Sequence, residues 1–279
     1  MKSIFLIRYY ITNLIHTKLL SFRFGKMVKK QSGSWSQLLA KHSGKKEWLV
    51  VCNGPSLKKE DLEALAHLPS IASNKISLLF DQTSWRPSLY SIADALLIHK
   101  LGKDHYKDVS LTLAADYVFS MVRSDKKLSW RTSSAKDKAS LFENNVGIPD
   151  PIKIGFIRPN TITVSQIQIA MWLGAKSIYV IGCDHSYAEE RHKSSAKLAH
   201  SQTSNHFDPK YRVAGEVVNS AAYEKMEADY AFIDRLAKMH NVRIINISRK
   251  TALKEFELGT LEEAIVRTTE PQKEFMETV

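Results

Sequence analysis

Cysteine, long uncharged hydrophobic runs and paired aspartates are scarce or absent in this sequence. Its 279 residues include two cysteines, Cys52 and Cys183, which are too few for a disulfide framework or a cysteine-based zinc site. Each lies at the end of a predicted strand, and we interpret them as small buried side chains in a protein of a reducing compartment. No Asp-x-Asp pair is present to hold a metal-bound sugar nucleotide. These absences exclude a small secreted disulfide scaffold.

Acidic residues are missing from residues 1–46, a segment that contains ten lysines and arginines. The rest of the chain has 30 basic and 29 acidic side chains, so the net charge of +11 belongs to this N-terminal arm. The body of the protein is nearly neutral and offers no basic surface for DNA or RNA. We therefore predict no nucleic-acid partner.

The arm is hydrophobic as well as basic. Apolar residues recur at helical spacing from Ile4 to Ile15, but charged residues such as Arg8 and Lys18 keep every uncharged run well below the roughly 18 residues of a spanning helix. A secretory signal with a cleavage site is not evident. We predict that residues 1–30 form a basic amphipathic helix on an anionic membrane surface, with Gln31 to Gly44 as a linker. The alternatives are a helix that packs on the body and, less favoured, an RNA-binding arm.

Downstream of the arm, apolar β-type runs alternate with helical patterns. This alternation predicts a single Rossmann-like α/β domain over residues 47–279, with a doubly wound, mostly parallel sheet and helices on both faces. Residues 123–147 fit no pattern, and residues 188–205 read as a polar, lid-like loop. The strands are predicted at 48–52, 71–73, 89–93, 116–121, 152–157, 177–182 and 242–247, and the helices at 59–67, 161–173, 219–240 and 261–266.

Polar residues follow the strands of this predicted sheet. Because parallel strands end at the same edge, these residues should meet in the crevice where open α/β sheets bind ligands. Gly54 allows a ligand to approach the backbone, Pro55 stiffens the turn, and Ser56 can cap the next helix. Thr161 or Thr163 can cap a later helix, whose N-terminus would take phosphate charge. The residues assigned to this edge are Asn53, Gly54, Pro55, Ser56, Asn74, Asp94, Thr161, Thr163 and the cluster from Asp184 to Tyr187.

Two histidines are candidate general bases, because imidazole titrates near neutral pH. His185 directly follows a predicted strand, and His206 follows the polar loop. Together with His192 and His200 they could be read as metal ligands, but their spacing fits no common site. We predict no metal.

Several of these segments together resemble a known family. The turn Cys52-Asn53-Gly54-Pro55-Ser56-Leu57 is similar to that of the MptE-like domain, named for an archaeal 6-hydroxymethylpterin diphosphokinase. That superfamily includes the Maf flagellin glycosyltransferases, and the same order of motifs occurs in a family of bacterial sialyltransferases. The segment from Leu173 to Tyr187, together with Thr161 to Thr163, carries the most specific part of the likeness. It continues through the strand Pro87 to Asp94, Asn74, Asn205 to Phe207, Tyr211, Tyr223 and Ile245 to Ile247, and covers roughly residues 47–256.

The resemblance to the sialyltransferases implies transfer of a nonulosonic acid from its CMP-activated form, without a metal or other cofactor. It implies that Asn53, Gly54, Ser56 and Asn74 hold the CMP with Thr161 and Thr163. Tyr187 would hydrogen-bond the departing phosphate, and His206 would take the proton from the acceptor hydroxyl. Asp184 is assigned to the same catalytic group, Pro55 and Asp94 to the nucleotide site, and His185, Tyr211 and Arg212 to the acceptor or lid. Two residues depart from the pattern, Cys52 and Asn160, which stand where the family has glycine.

Three functions follow as hypotheses. The first is a glycosyltransferase of polysaccharide or lipopolysaccharide assembly, cytoplasmic and attached to the inner face of the cell membrane by its arm, acting on glycan or lipid-linked acceptors. The second is a pyrophosphokinase using ATP and Mg²⁺, for which Asp94 and Asp184 are the best metal-binding carboxylates. The third is a binding protein of the same fold that has lost catalysis. The sequence leaves the oligomeric state open.

Overall fold

The computed structural model describes residues 30–133, 147–186, 197–199, 205–213, 216–219 and 221–269. Residues 1–29 of the arm, Tyr187 and most of the predicted lid over 188–205 lie outside these ranges. Within them, none of the helices has both the length and the apolar composition needed to cross a bilayer.

Short strands and helices alternate through most of the described chain. Helix α1 covers residues 30–41. The other helices are α2 (Lys59–Ala64), α3 (Ala95–Ile98), α4 (Ile162–Trp172), α5 (Tyr223–Met239) and α6 (Leu261–Thr269). The strands are β1 (Glu47–Val51), β2 (Ser70–Ser73), β3 (Leu89–Ile92), β4 (Thr112–Ala115), β5 (Lys127–Trp130), β6 (Thr132–Ser133), β7 (Phe156–Ile157), β8 (Ser177–Ile181), β9 (Lys197–Ala199), β10 (Val217–Asn219), β11 (Arg243–Asn246) and β12 (Glu257–Leu258).

The main sheet of the described structure has eight parallel strands in the order β12-β11-β8-β1-β2-β3-β4-β5. The chain moves outward from β1 to β5 and then returns to the other side of β1 at β8. Because crossovers between parallel strands are right-handed, this reversal puts the helices of the two halves on opposite faces. The fold is a Rossmann-like, doubly wound α/β sheet, and its switch point lies between β1 and β8.

The core lies around the two strands at the switch point. In β1, Trp48 to Val51 are completely buried, as expected for a parallel strand covered on both faces. Helix α4 is apolar around most of its circumference, and every residue from Thr163 to Met171 is buried. It packs on β1, β2 and β3 and against α5. This helix therefore delivers its N-terminus rigidly to the sheet edge.

Helix α1 replaces the linker that we predicted over Gln31 to Gly44. The segment is rich in serine and glycine, but two of its apolar side chains, Trp35 and Leu38, are buried. The Trp35 indole donates to the Ser129 carbonyl at 3.1 Å, and the Gln31 side chain accepts from the Ser129 amide at 2.9 Å. The helix thereby covers the outer edge of strand β5, which would otherwise expose unpaired backbone groups.

Two predicted strands are wrong or shorter, and one segment without a prediction contains strands. The strand predicted over 116–121 is a turn with a 3₁₀ turn at Phe119–Met121, and the true strand β4 comes just before it. The strand predicted over 152–157 reduces to the two residues of β7, which pair with β6 outside the main sheet. Part of the unassigned 123–147 segment forms β5 and β6.

Candidate functional site

The turns after β1 and β8 interlock at the switch point. The Gly54 amide donates to the Gly182 carbonyl at 2.8 Å. A Cβ at Gly54 would lie 2.5 Å from that carbonyl oxygen and 2.7 Å from the Asp184 carboxyl carbon, so only glycine fits there. Gly182 has a φ of +66°, which favours glycine as well. The two turns therefore fix each other's position.

Asp184 closes the same junction. Its Oδ2 accepts from the Ser56 amide at 2.7 Å, and its Oδ1 accepts from the Ser56 hydroxyl. The side chain is only 3% exposed. Burial raises the pKa of Asp184, and the two bonds from Ser56 oppose that rise. The prediction that Ser56 caps the following helix is wrong, because the N-cap of α2 is Lys58 and Ser56 instead binds Asp184.

Asn53 follows strand β1 and lines the cleft. Its side chain is 9% exposed, and its Nδ2 lies 3.4 Å from the Ser73 hydroxyl at the end of β2. Its Oδ1 is buried and has no hydrogen-bond partner among the described residues. A buried amide oxygen without a partner is costly. A ligand that donates to this oxygen would remove that cost.

The N-terminus of α4 also faces the cleft. Thr161 occupies the N-cap position, but its side chain makes no capping hydrogen bond, contrary to the prediction. Its hydroxyl lies 3.3 Å from the Thr163 hydroxyl instead, and the latter lies 3.2 Å from the Cys52 sulfur. The N-cap side chain thus makes no hydrogen bond to the positive end of this 11-residue helix, and such an end favours an anionic ligand.

Asn160 stands just before this helix, where the resembling family has glycine. Its amide and its side-chain Nδ2 both donate to Asp229 Oδ2, each at 2.7 Å. Asp229 is buried on α5. Helix α5 therefore fixes the turn that leads into α4.

His206 is held against the turn after β1 by a segment outside the sheet. The neighbouring Phe207 amide donates to the Asn53 carbonyl at 3.2 Å, and His206 Nδ1 lies 3.3 Å from the same oxygen. The His206 ring stacks on Tyr211, with ring centroids 3.8 Å apart and planes 19° apart. Tyr211 is buried, and burial raises its pKa to about 12.

A carbonyl oxygen only accepts hydrogen bonds, so His206 Nδ1 is the protonated nitrogen. Its Nε2 is then the basic nitrogen of the neutral ring. A neutral ring in this orientation can accept a proton at Nε2. The structure thus orients His206 through its contact with Asn53.

The remaining predicted residues lie around this centre. His185 is buried in a left-handed conformation, 3.5 Å from Glu227 and in edge contact with Tyr223 and Tyr230 of α5. Asp94 caps α3 by accepting from the Leu96 and Leu97 amides at 2.9 and 3.3 Å. Arg212 pairs with Glu216 at 3.3 Å.

Glu216 interacts with three cationic side chains, those of Lys75, Lys100 and Arg212. Lys100 binds it at 2.6 Å, and the charges of Lys75 and Arg212 act on it as well. Burial opposes ionisation, but these contacts and the hydrogen bond from the Val213 amide lower the pKa of Glu216 to about 2. The carboxylate is therefore charged at every physiological pH.

The structure brings ten of the predicted site residues into one cleft at the carboxyl edge of the sheet. Ser56, Asp94 and Arg212 do not line it, and Tyr187 lies outside the described ranges. Among the described residues, no cluster of three or more His, Cys, Asp or Glu is placed to hold a metal ion. The ten are Asn53, Gly54, Pro55, Asn74, Thr161, Thr163, Asp184, His185, His206 and Tyr211.

Two features of the cleft have no signal in the sequence: Tyr230 lines it, and Cys52 contacts Cys183. Tyr230 lies on the apolar face of α5. Its hydroxyl reaches the cleft, where it lies 3.4 Å from the Thr161 hydroxyl and 3.6 Å from the Cys183 sulfur. The thiols of Cys52 and Cys183 contact each other there, and that contact together with burial raises the pKa of Cys52. Helical spacing places Tyr230 on the buried face but gives no sign of its polar partner.

Comparison with known proteins does not assign a function to this chain. No protein-family model matches the sequence, and no curated protein matches it significantly. Among solved structures, the chain is similar to a Maf glycosyltransferase from Magnetospirillum magneticum AMB-1, with 14% identity and a TM-score of 0.47. The match covers 81% of this chain but 38% of that protein. A likeness this distant assigns neither family nor activity, so function has to be inferred from the site.

Proposed function

We propose that this protein is a glycosyltransferase of cell-surface polysaccharide or lipopolysaccharide biosynthesis. It transfers a nonulosonic acid from a CMP-activated donor to a glycan or lipid-linked acceptor, and it needs no metal. The observation that carries the proposal is the switch-point cleft, where a buried acceptor atom of Asn53, an uncapped helix N-terminus and an oriented histidine meet. The resemblance to the sialyltransferase family supplies the sugar and the nucleotide.

The two sides of the cleft suit the two parts of a nucleotide. Asn53 Oδ1 would accept from a ribose hydroxyl or a base amino group and so gain its missing hydrogen bond. The N-terminus of α4 would receive the phosphate, because its dipole and its amides favour negative charge. Gly54 contributes through the shape of the turn, because the position of a Cβ there is taken by the Gly182 carbonyl and Asp184.

His206 would act as the general base. In the transfer, the acceptor oxygen forms a bond to the anomeric carbon while the bond from that carbon to the phosphate oxygen breaks. The phosphate oxygen keeps the electron pair and leaves as CMP, and the acceptor proton passes to His206 Nε2. Tyr187 would donate to the departing phosphate, a role that stays a prediction.

The carboxylates argue for this reaction over the pyrophosphokinase. Asp184 is engaged by the Ser56 amide and hydroxyl, and Asp94 is engaged by two amides of α3. Both side chains therefore hold backbone in place. The proposal gives Asp184 a structural part in catalysis, since it keeps the Gly54 turn in shape.

Nucleotide binding tests the proposal first. We expect CMP to raise the melting temperature of the full-length protein without Mg²⁺, because a ligand that binds the folded state stabilises it. CDP, UDP, GDP and ATP are tested separately in the same way, each with and without Mg²⁺. Asn53→Ala should abolish the shift, whereas the exposed Asn219→Ala outside the cleft should keep it. Stabilisation by ATP only with Mg²⁺ would favour the kinase, and no response would favour a binding protein without catalysis.

Activity tests the role of His206. We expect His206→Ala to lower kcat for sugar transfer by roughly 10²- to 10⁴-fold and to leave CMP binding nearly unchanged. His99→Ala, which removes an exposed histidine outside the cleft, is the control. A variant at position 206 with wild-type kcat would remove His206 from the mechanism.

The arm completes the proposal. Residues 1–30 would attach the protein to the inner face of the cell membrane and so bring the cleft to lipid-linked acceptors. The full chain should co-sediment with vesicles containing phosphatidylglycerol and be released by high salt, and removal of residues 1–29 should abolish this binding. Equal sedimentation of the truncated protein would contradict membrane attachment through the arm.

A further inference from the structure

We infer that His105 and Tyr90 are positioning residues, which hold Asn74 at the cleft through a buried chain of hydrogen bonds. Nothing in the sequence singles out His105, which lies in a 3₁₀ turn at Lys103–Tyr106 between β3 and β4. The inference rests in part on the proposed function, because the ligand that Asn74 would meet is the nucleotide.

Asn74 needs such a support. It directly follows β2 and lines the cleft, and its φ of +56° lies in the left-handed region that non-glycine residues rarely adopt. Asparagine tolerates this conformation better than most residues. Surrounding contacts still have to select it over the extended alternatives that would turn the side chain away.

Tyr90 supplies the first contact. Its hydroxyl donates to the Asn74 carbonyl at 2.7 Å, and the whole side chain is buried on β3. The same hydroxyl lies 2.9 Å from His105 Nε2, and His105 Nδ1 lies 2.7 Å from the Ser77 hydroxyl. The three side chains therefore form an unbroken chain that ends on the Asn74 backbone.

The direction of each bond follows from counting protons. The Tyr90 proton goes to the Asn74 carbonyl, which can only accept, so the Tyr90 oxygen must accept from His105 Nε2–H. His105 Nδ1 is then unprotonated and accepts from the Ser77 hydroxyl. Burial lowers the pKa of His105 to about 4, so this neutral Nε2–H form persists at physiological pH.

The chain continues from Asn74 towards the proposed base. The Asn74 side chain hydrogen-bonds the Tyr211 hydroxyl, and Tyr211 is the ring on which His206 stacks. A shift of Asn74 would therefore also move Tyr211 and the ring stack with His206. Through Tyr90, and through its own hydrogen bond to the Asn74 backbone, His105 would set the position of Asn74 and of the stack that supports His206.

A double-mutant cycle on CMP binding tests the inference. His105→Leu should raise the Kd for CMP about tenfold, the effect of one well-placed hydrogen bond. His105→Gln should restore most of the affinity, because an amide can donate to Tyr90 and accept from Ser77. In an Asn74→Ala background, His105→Leu should have no further effect on Kd, since its path to the ligand is gone. Equal losses in both backgrounds would overturn the inference and mark His105 as a general stabilising residue.

A spectroscopic measurement is independent of the ligand. In protein labelled with ¹⁵N-histidine, the two ring nitrogen shifts of His105, assigned by comparison with His105→Gln, should report the Nε2–H tautomer at pH 7. The Nδ1–H tautomer, or a charged ring, would overturn the inference even if no nucleotide binds. Failure of CMP to bind the wild-type protein would instead count against the proposed function, and the tautomer would still decide the role of His105.

Discussion

The two sides of the cleft are built from different materials. On one side, the turns after β1 and β8 are joined through main-chain atoms, two glycines and the carboxylate of Asp184. On the other side, Asn74, Tyr211 and His206 are placed by side-chain hydrogen bonds and ring stacking. We call these the main-chain side and the side-chain side.

The difference predicts how each side responds to change. The main-chain side contains close contacts that leave no room for an added atom, so it should fail abruptly on substitution. The side-chain side depends on the protonation of buried histidine and on single hydroxyl groups. It should weaken in graded steps and should respond to pH.

Gly54→Ala should have the largest effect and breaks the main-chain side. The added Cβ would collide with the Gly182 carbonyl oxygen at 2.5 Å, so the two turns must separate. We expect a loss of about 3 kcal/mol in the free energy of unfolding, measured in urea, together with loss of nucleotide binding. Gly102→Ala is the matched control, because no heavy atom lies within 4 Å of its Cβ and its φ of −75° suits alanine. Wild-type stability of Gly54→Ala would show that the turns can move apart freely.

The pH dependence of stability tests the side-chain side. Burial lowers the pKa of His105 from 6.5 to about 4. The charge of Lys75 lowers this pKa further, and the hydrogen bond to the Asn74 backbone opposes the shift. Between pH 4 and 6.5 the folded protein therefore binds fewer protons than the unfolded chain. The contribution of the neutral His105 ring to the free energy of unfolding is complete above about pH 6.5 and is lost as the pH falls towards 4. The expected loss is on the order of 3 kcal/mol.

His105→Gln isolates that contribution. Other groups that titrate in this range, including the buried His42, are common to both proteins and cancel in the comparison. The urea unfolding free energy of wild type should therefore fall more steeply between pH 6.5 and 4.5 than that of the variant. Parallel curves would mean that His105 is not buried as a neutral ring.

The smallest effect sharpens the comparison within the side-chain side. Tyr211→Phe removes the hydroxyl bonded to Asn74 and keeps the ring under His206, so we expect a loss of about 1 kcal/mol in stability. Tyr211→Leu also removes the stack and should cost about 1 kcal/mol more. The two variants are compared by urea unfolding. Equal costs for both would assign the whole contribution to the hydroxyl.

The main-chain side could largely be predicted from the sequence. A strand that ends in Asn-Gly-Pro-Ser and another that ends in Gly-Cys-Asp are local patterns, and parallel strands must end at one edge. The wrong detail was the partner of Ser56. Which carboxylate meets that hydroxyl depends on the register of β1 against β8, and no local pattern carries a register between distant strands.

The side-chain side could be predicted only as candidates. His206 was found by its chemistry, but its contact with the Asn53 carbonyl is set by a segment outside the sheet. His105 has neither periodicity nor a motif. Similarly, Tyr117 to Phe119 have higher β propensity than the alanine-containing β4, yet tertiary pairing selects Thr112 to Ala115. Helix α1 was missed because contacts with β5 stabilise it against its own composition.

The pairing of β1 with β8 has a consequence for biosynthesis. Glu47 pairs with Ser177 in the sheet, although the two residues are 130 positions apart in the chain. Closing so long a loop costs entropy before any contact repays it, so this pairing should form late and slowly. A ribosome must release β8 before the cleft exists, and until then the edge of β1 is unpaired. The nascent chain would therefore need protection from aggregation during the synthesis of more than a hundred residues.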